Sequence, residues 1–334
     1  MIDRYPSPMA RLEVKRQMGR GDIQAVSELL DAATSADGHR PLGDHQWLDL
    51  VRGGRKGFAG LVAWEPGHGH PVGYAQLTKD HPAPSATEAS SWALEYVVDP
   101  HHRRRDPDIA TTLIHAAIAI VTDEGGGHLH MWIHHPDATH DAAAVGAGFR
   151  RGRELHQLRR TLPIAGGESP TKVGSSAATL SVRPFVVGQD EGAWLEVNNR
   201  AFAWHVEQGG WTLDHLRTRE AQSWFDPAGL LLHEREGKLA GFCWTKIHHD
   251  HRPPLGEIYV LAVDPAFQRL RLGRRLMVAG LEWLAGAGLT TAMLYVDADN
   301  SAARALYAQL GFTLDHVDQA YVCDIRSSPS QPGR

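Results

Sequence analysis

A long-range repeat constrains this chain more than any other feature. In the first half stands Leu94-Glu95-Tyr96-Val97-Val98-Asp99-Pro100, and in the second Ile258-Tyr259-Val260-Leu261-Ala262-Val263-Asp264-Pro265. Each is an apolar strand closed by Asp-Pro, followed by an Arg-rich turn and an apolar-periodic helix, Ile109 to Val121 and Gly273 to Ala285. Each copy ends in Gly-Phe after an Ala-rich helical stretch, at Gly148-Phe149 and Gly311-Phe312. Asp99 to Phe149 spans 50 positions and Asp264 to Phe312 spans 48. Self-similarity at a fixed distance marks a duplicated supersecondary unit, and 334 residues suit two domains better than one.

The boundary is expected between the copies, where Pro163 to Thr179 is rich in Gly, Ser and Pro and lacks a hydrophobic period. This gives domains at 1–162 and 180–326, a linker at 163–179, and a Ser/Pro/Gly-rich tail at 327–334 expected to be disordered. In the second copy a hairpin is expected at Leu230 to Glu234 and Leu239 to Ile247, around Glu236-Gly237. Strands follow at Gly256 to Val263 and Ala292 to Val296, with a helix from Ser301 to Leu310 and Tyr321 to Ile325 closing the sheet. The first copy repeats the hairpin with Phe58 to Trp64 and Gly73 to Leu77. Strands that pair antiparallel and then cross over through helices give a mixed sheet, an α/β (α+β) fold in two tandem copies.

Composition enters by exclusion. The net charge is −5 with no basic tract, so nothing points to nucleic acid. No signal-peptide core and no apolar run of membrane-spanning length is visible. Cys243 and Cys323 lack metal-ligand spacing and read as free thiols of a cytoplasmic protein. His128 and His130 alternate on one strand face, but with His134, His135 and His140 they form no catalytic zinc pattern, so no metal is expected.

The turn Gln268-Arg269-Leu270-Arg271-Leu272-Gly273 runs directly into a helix. Free N–H groups and the helix dipole make such a turn an anion site that a pyrophosphate fits. Here the chain resembles the GCN5-related N-acetyltransferase (GNAT) superfamily, whose CoA loop reads Gln/Arg-x-x-Gly-x-Gly/Ala. Gln268 and Gly273 match it, while Arg271 replaces the internal glycine. In the first copy Asp106-Pro107-Asp108 brings two acids and an imino acid where anion-binding amides belong, so that half is expected to be non-catalytic.

Longer stretches resemble the mycothiol synthase family of two-domain GNAT enzymes. They are Ala201 to Thr212, Gly241 to Lys246, Gly256 to Val260, and Leu294 to Asn300 continuing to Gly311-Phe312. The resemblance implies acetyl transfer from acetyl-CoA to the cysteinyl amine of a cysteine–glucosamine–inositol conjugate by the C-terminal domain. It implies Glu257 as base and Tyr307 as general acid at the CoA sulfur. It implies cofactor contacts from Leu261, Ala262 and Val263, from Gln268, Arg269, Leu270, Arg271, Leu272, Gly273 and Arg274, and from Asn300, Ser301, Ala302, Ala303, Arg304 and Ala305. Substrate contacts are implied for Asp44, Glu207, Lys246, Glu257 and Tyr295. Asn300 also suits a helix N-cap, and Trp204, Trp211 and Trp244 suit an acceptor wall. A small-molecule acceptor, no membrane partner and a monomer are expected. Two other readings remain open here: an acetyltransferase for another amine, and an inactive acetyl-CoA-binding module.

Overall fold

The computed structural model describes residues 10–67, 69–79, 90–164, 180–203, 209–249 and 251–327. The first half runs β1 (Arg11–Lys15), α1 (Arg20–Asp37), α2 (Asp44–Val51), β2 (Phe58–Trp64), β3 (Pro71–Lys79), β4 (Ser91–Val98), α3 (Asp108–Asp123), β5 (Gly127–His134), α4 (Ala138–Gly146) and β6 (Arg150–Thr161). The second runs β7 (Arg183–Pro184), α5 (Glu191–Ala201), α6 (Leu213–Glu220), β8 (Leu230–Arg235), β9 (Lys238–His248), β10 (Leu255–Val263), α7 (Leu272–Gly286), β11 (Thr291–Asp297), α8 (Ser301–Gln309) and β12 (Thr313–Ile325).

These elements form two compact units, but not along the expected linear boundary. Unit 1 takes Met1–Glu154 with Val317–Arg334, and unit 2 takes Leu155–His316. The closing strands are exchanged. Tyr321 to Ile325, expected to close the second copy, pairs antiparallel with β5 of unit 1, Tyr321 opposite Met131 and Ile325 opposite Gly127. The later residues of β6 pair instead with β11 of unit 2, Leu155 opposite Asp297 and Thr161 opposite Thr291. Tyr321 is fully buried in the unit 1 core and its hydroxyl donates to Asp141 Oδ1 at 2.5 Å. A strand's own alternation says which face is buried, not which neighbour it joins, so this exchange could not be read from composition. The expected linker, apart from Pro163 and Ile164, lies outside the described residues, as does the tail beyond Ser327.

In unit 1, α3 presents Ile109, Leu113, Ile114, Ala117 and Val121 as one buried stripe, and these pack with Leu77, Leu94 and Leu129 of the sheet. In unit 2, α7 does the same with Leu276, Met277, Leu281 and Leu284 against Ile258, Ala292 and Leu294. The opposite face of unit 2 is aromatic, with Trp194, Trp211, Phe242 and Trp244 packed together. The β8–β9 hairpin turns at Glu236 and Gly237, both at positive φ (55° and 73°), the conformation a two-residue type I′ loop requires.

Candidate active site

In unit 2 the site starts from a fork in the sheet. β10 and β11 run parallel, but their ladder holds only Gly256 opposite Ala292 and Glu257 opposite Met293. Beyond Glu257 the strands part. Leu261, Ala262 and Val263 keep their partners Cys243, Phe242 and Gly241 on β9, while their other edge has no ladder partner in β11. Unpaired strand groups at such an opening can bind an extended amide-bearing chain in place of a neighbouring strand. Just after Glu257, β10 carries one extra residue: the register on β9 shifts between Ile258 and Val260, leaving Tyr259 as a bulge. A bulge takes one residue out of the ladder and bends the strand.

The loop at the open end of the fork leads from β10 into the N-terminus of α7. Asp264, buried, accepts from the amide of Ala266 at 2.9 Å and fixes the short turn Pro265–Phe267. Gln268, Arg269, Leu270 and Arg271 are exposed, and Arg269 and Arg271 hold positive φ (66° and 57°). Arg271 is the N-cap of α7 but its side chain makes no capping hydrogen bond, so the first-turn amides from Leu272 to Arg274 are not satisfied by it. The left-handed conformation of Arg271 explains the glycine of the family pattern: a Cβ there costs about 1–2 kcal/mol. The backbone takes the shape that glycine would give, with a guanidinium added. Asn300 caps α8 and accepts from the amide of Ala303 at 3.1 Å. Arg304 ties its guanidinium to the carbonyl of Ala298 at 2.8 Å, and Ser301, Ala302 and Ala305 complete that first turn and a half of α8.

Glu257, only 7% exposed, sits at the apex of the fork. Lys246 stands opposite it on β9, and His248 lies diagonally across, with Nε2 2.7 Å from Glu257 Oε2. Lys246 Nζ is 4.8 Å from the Trp224 ring centroid and 5.7 Å from that of Tyr259, so its charge is held over aromatic faces. Tyr307 lies on α8 among the apolar residues of the α7 side of the sheet. Burial, with a smaller contribution from the neighbouring Cys243, pushes its pKa up to about 12, so the phenol holds its proton. Cys243 is fully buried, and burial pushes its thiol up to about 12 as well. Tyr295 is 38% exposed on β11, and its hydroxyl accepts from Gln157 Nε2 at 2.7 Å.

Sequence reasoning named Glu257, Tyr307, Lys246 and Tyr295 but passed over His248 and Cys243. A signal for His248 existed: Lys246 and His248 are two apart, so they share the strand face that Glu257 presents across the ladder. Trp211 and Trp244 are core residues rather than an open wall, 7% and 0% exposed. Asp44 heads α2 in unit 1, but its side chain is outside the described residues, as are Glu207 and Trp204. Among the described residues no group of His, Cys, Asp and Glu is arranged to hold a metal, and no helix is long and apolar enough to cross a membrane.

Unit 1 repeats the fork without these groups. β4 and β5 pair from Ser91 opposite His128 to Leu94 opposite Met131, then part around a cavity of about 600 Å3 that Tyr96, Arg103, Trp132 and His134 help to line. Its β3–β4 register is unbroken, so there is no bulge. Gly73 opposite Val98 corresponds to Gly241 opposite Val263, and counting down the two ladders through the bulge places Ala93 at the position of Glu257. Counting back five residues from Phe149 and Phe312 places Ala144 at the position of Tyr307. Pro107 caps α3 without an N–H, and Arg103 is engaged by Asp37 at 2.7 and 2.6 Å.

Comparison with known proteins agrees with this duplication. The acetyltransferase (GNAT) family matches twice, at residues 23–146 and 198–312. The chain is 44% identical over 299 residues to the mycothiol acetyltransferase of Thermomonospora curvata, covering 90% of this chain and 93% of that one. It is 40% identical over 320 residues to that of Streptomyces coelicolor, covering 95% and 96%. Among solved structures, a tandem GNAT protein from the clavulanic acid biosynthesis pathway superposes with a TM-score of 0.68 at 17% identity, covering 96% of this chain and all (100%) of that one. A GCN5-related N-acetyltransferase from Sphaerobacter thermophilus gives 0.64 at 19%, covering 96% and 98%. The duplicated domain, the bulged fork in its second copy and this identity over nearly the whole length together mean that the chain belongs to the GNAT acetyltransferase family, within its mycothiol acetyltransferase branch.

Proposed function

We propose that unit 2 transfers acetyl from acetyl-CoA to the cysteinyl amine of 1-D-myo-inositol 2-(L-cysteinylamino)-2-deoxy-glucopyranoside, giving mycothiol and CoA. The observation that carries the chemistry is the fork at Glu257, with its carboxylate at the apex, unpaired strand edges beyond it and uncapped helix amides at its mouth. The acceptor follows from the similarity to mycothiol acetyltransferases.

In this reading Leu261, Ala262 and Val263 hold the pantetheine amides, and the loop from Gln268 to Arg274 holds the diphosphate with Asn300 to Ala305 alongside. Glu257 takes a proton from the acceptor ammonium, freeing the nitrogen lone pair for the thioester carbonyl. A backbone amide of β10 stabilises the oxyanion. Tyr307, kept protonated by burial, gives its proton to the departing sulfur. Glu207, Lys246 and Tyr295 hydrogen-bond the polyol acceptor. Unit 1, with Ala93, Ala144 and an unbulged β4, does no chemistry. A cytoplasmic location and a monomeric state belong to the same proposal.

The test is to incubate the full chain with acetyl-CoA and the cysteinyl conjugate and follow CoA thiol release. Acetylation of the conjugate is the expected result. Turnover only with other amines overturns the acceptor assignment, and CoA binding without turnover of any amine overturns the enzymatic reading.

A further inference from the structure

Acetylation leaves a proton that must be removed from the site. The acceptor nitrogen forms its bond to the acetyl carbon and loses two protons, the C–S bond breaks, and the sulfur gains one; the second must reach solvent. Glu257 is 7% exposed, so a proton it accepts has a poor direct path to water. The group in contact with it is an imidazole. His248 Nε2 is 2.7 Å from Glu257 Oε2, and the His248 side chain is 17% exposed against 9% for that of Glu257. His248 is the last residue of β9, beside the chain segment that leads to β10. Imidazole alone among side chains exchanges a proton readily near neutral pH without a special environment.

We infer that His248 is a positioning residue that holds Glu257 Oε2, leaves Oε1 for the acceptor ammonium, and passes the proton from Glu257 to solvent. The inference rests on Glu257 being the base. While Glu257 is ionised, the contact requires the Nε2 proton on His248, which fixes the tautomer and leaves Nδ1 as acceptor. Once Glu257 takes the ammonium proton it no longer holds the Nε2 proton, and the ring exchanges through solvent to its Nδ1–H tautomer, with no net proton gained or lost. The carboxylic acid then gives its proton to Nε2, and the imidazolium releases its Nδ1 proton to buffer, which leaves Nε2–H on the Glu257 carboxylate as at the start. No oxidant or co-reactant is needed, and solvent restores the Tyr307 phenol. The charged neighbours are Lys246, on the same strand face and opposite Glu257, and His251, whose ring centroid is 5.8 Å from that of His248. His251 can extend the path outward.

The experiment uses the full chain with acetyl-CoA and the cysteinyl conjugate, comparing His248→Gln, His248→Phe and Glu257→Gln. His248→Gln keeps an N–H for Glu257 but cannot relay a proton. Its kcat is expected to fall about 10-fold, at the low end for proton-transfer groups, with both KM values unchanged. Its rate should rise with imidazole buffer concentration at fixed pH and ionic strength, which the parent rate should not. His248→Phe should lose more, in KM for the acceptor as well, because Glu257 is no longer held. A wholly structural role would lower activity without buffer rescue, and that result in folded His248→Gln overturns the relay. Parent-like kcat in His248→Gln beside an inactive Glu257→Gln overturns it too. A near-normal Glu257→Gln overturns instead the base assignment on which the inference stands.

Discussion

At the residue scale, two side chains of the proposed site lie in environments that differ. Glu257 is a nearly buried carboxylate at the end of a ladder, and Tyr307 is a buried phenol whose pKa is pushed up to about 12. Replacing Glu257 with Gln and Tyr307 with Phe should each lower kcat at least about 10-fold, read from steady-state thiol release. Because Tyr307 stays protonated far above neutrality, its role should not produce a falling limb below about pH 10; a tyrosine-dependent loss of rate near pH 8 would contradict the acid assignment. Arg271 makes a separable prediction. Its backbone is already left-handed (φ 57°), so Arg271→Gly should leave the amide cradle in place and remove only the charge. KM for acetyl-CoA should rise a few-fold, and stability should change by no more than about 1 kcal/mol, since relief of strain is offset by a more flexible unfolded chain. Thermal melts and acetyl-CoA titrations separate the two effects.

At the element scale, the fork depends on how closely α7 packs on β9. Gly280 on α7 permits this, because a methyl there would lie 2.5 Å from Cys243 Sγ and 3.0 Å from Ile258 Cδ1. Gly280→Ala should therefore destabilise unit 2 by about 1–3 kcal/mol through overpacking, despite the better helix propensity of alanine. A denaturant midpoint at or above the parent's would refute that. The strands and helices of unit 2 were largely legible, for periodic reasons: α7 places Leu276, Met277, Leu281 and Leu284 inward, and Glu236-Gly237 marks its turn by conformational need. The bulge at Tyr259 was not legible. It is a relation between β9 and β10, and an apolar run such as Ile258 to Val263 looks the same with or without a register shift.

At the scale of the whole molecule, the exchanged strands change what can be cut. A chain ending near His316 lacks the residues of β12 that pair with β5, and it should expose the buried surface that Tyr321 fills. Fragments separated within 163–179 would each carry a closing strand that belongs to the other unit. Neither fragment should give a cooperative melt alone; a well-folded 180–326 fragment with a sharp thermal transition would show the exchange to be dispensable. Stability should also fall at both ends of the pH range. Arg183 hydrogen-bonds Asp190 at 2.6 and 2.9 Å and holds its pKa below the ordinary 3.8. That stabilisation is present above pH 3.8 and is lost as pH falls through the lower folded value. For His134, burial opposes the charge, but the hydrogen bond and field of Asp318 outweigh it and raise its pKa above 6.5. Its contribution is complete below pH 6.5 and is lost as pH rises through the higher folded value. Tm against pH should show both limbs, with Asp190→Asn flattening the acidic one and His134→Gln the other.

Sequence by itself determined what is local or periodic: the duplication, the apolar faces of α3 and α7, and the arginine-rich turn from Gln268 to Gly273 that opens α7; it also offered Glu257 and Tyr307 as candidates. It also marked a difference between the copies, because Asp106-Pro107-Asp108 stands in the first where the second continues its arginine-rich turn. Tertiary structure decided everything that needs a partner distant in the chain. It set Tyr321 against Met131 rather than within the second copy, put His248 on Glu257, and ended the β10–β11 ladder at the carboxylate. The physical reason is that side-chain periodicity specifies which face of an element is buried, whereas pairing and register are chosen by the free energy of the assembled sheet.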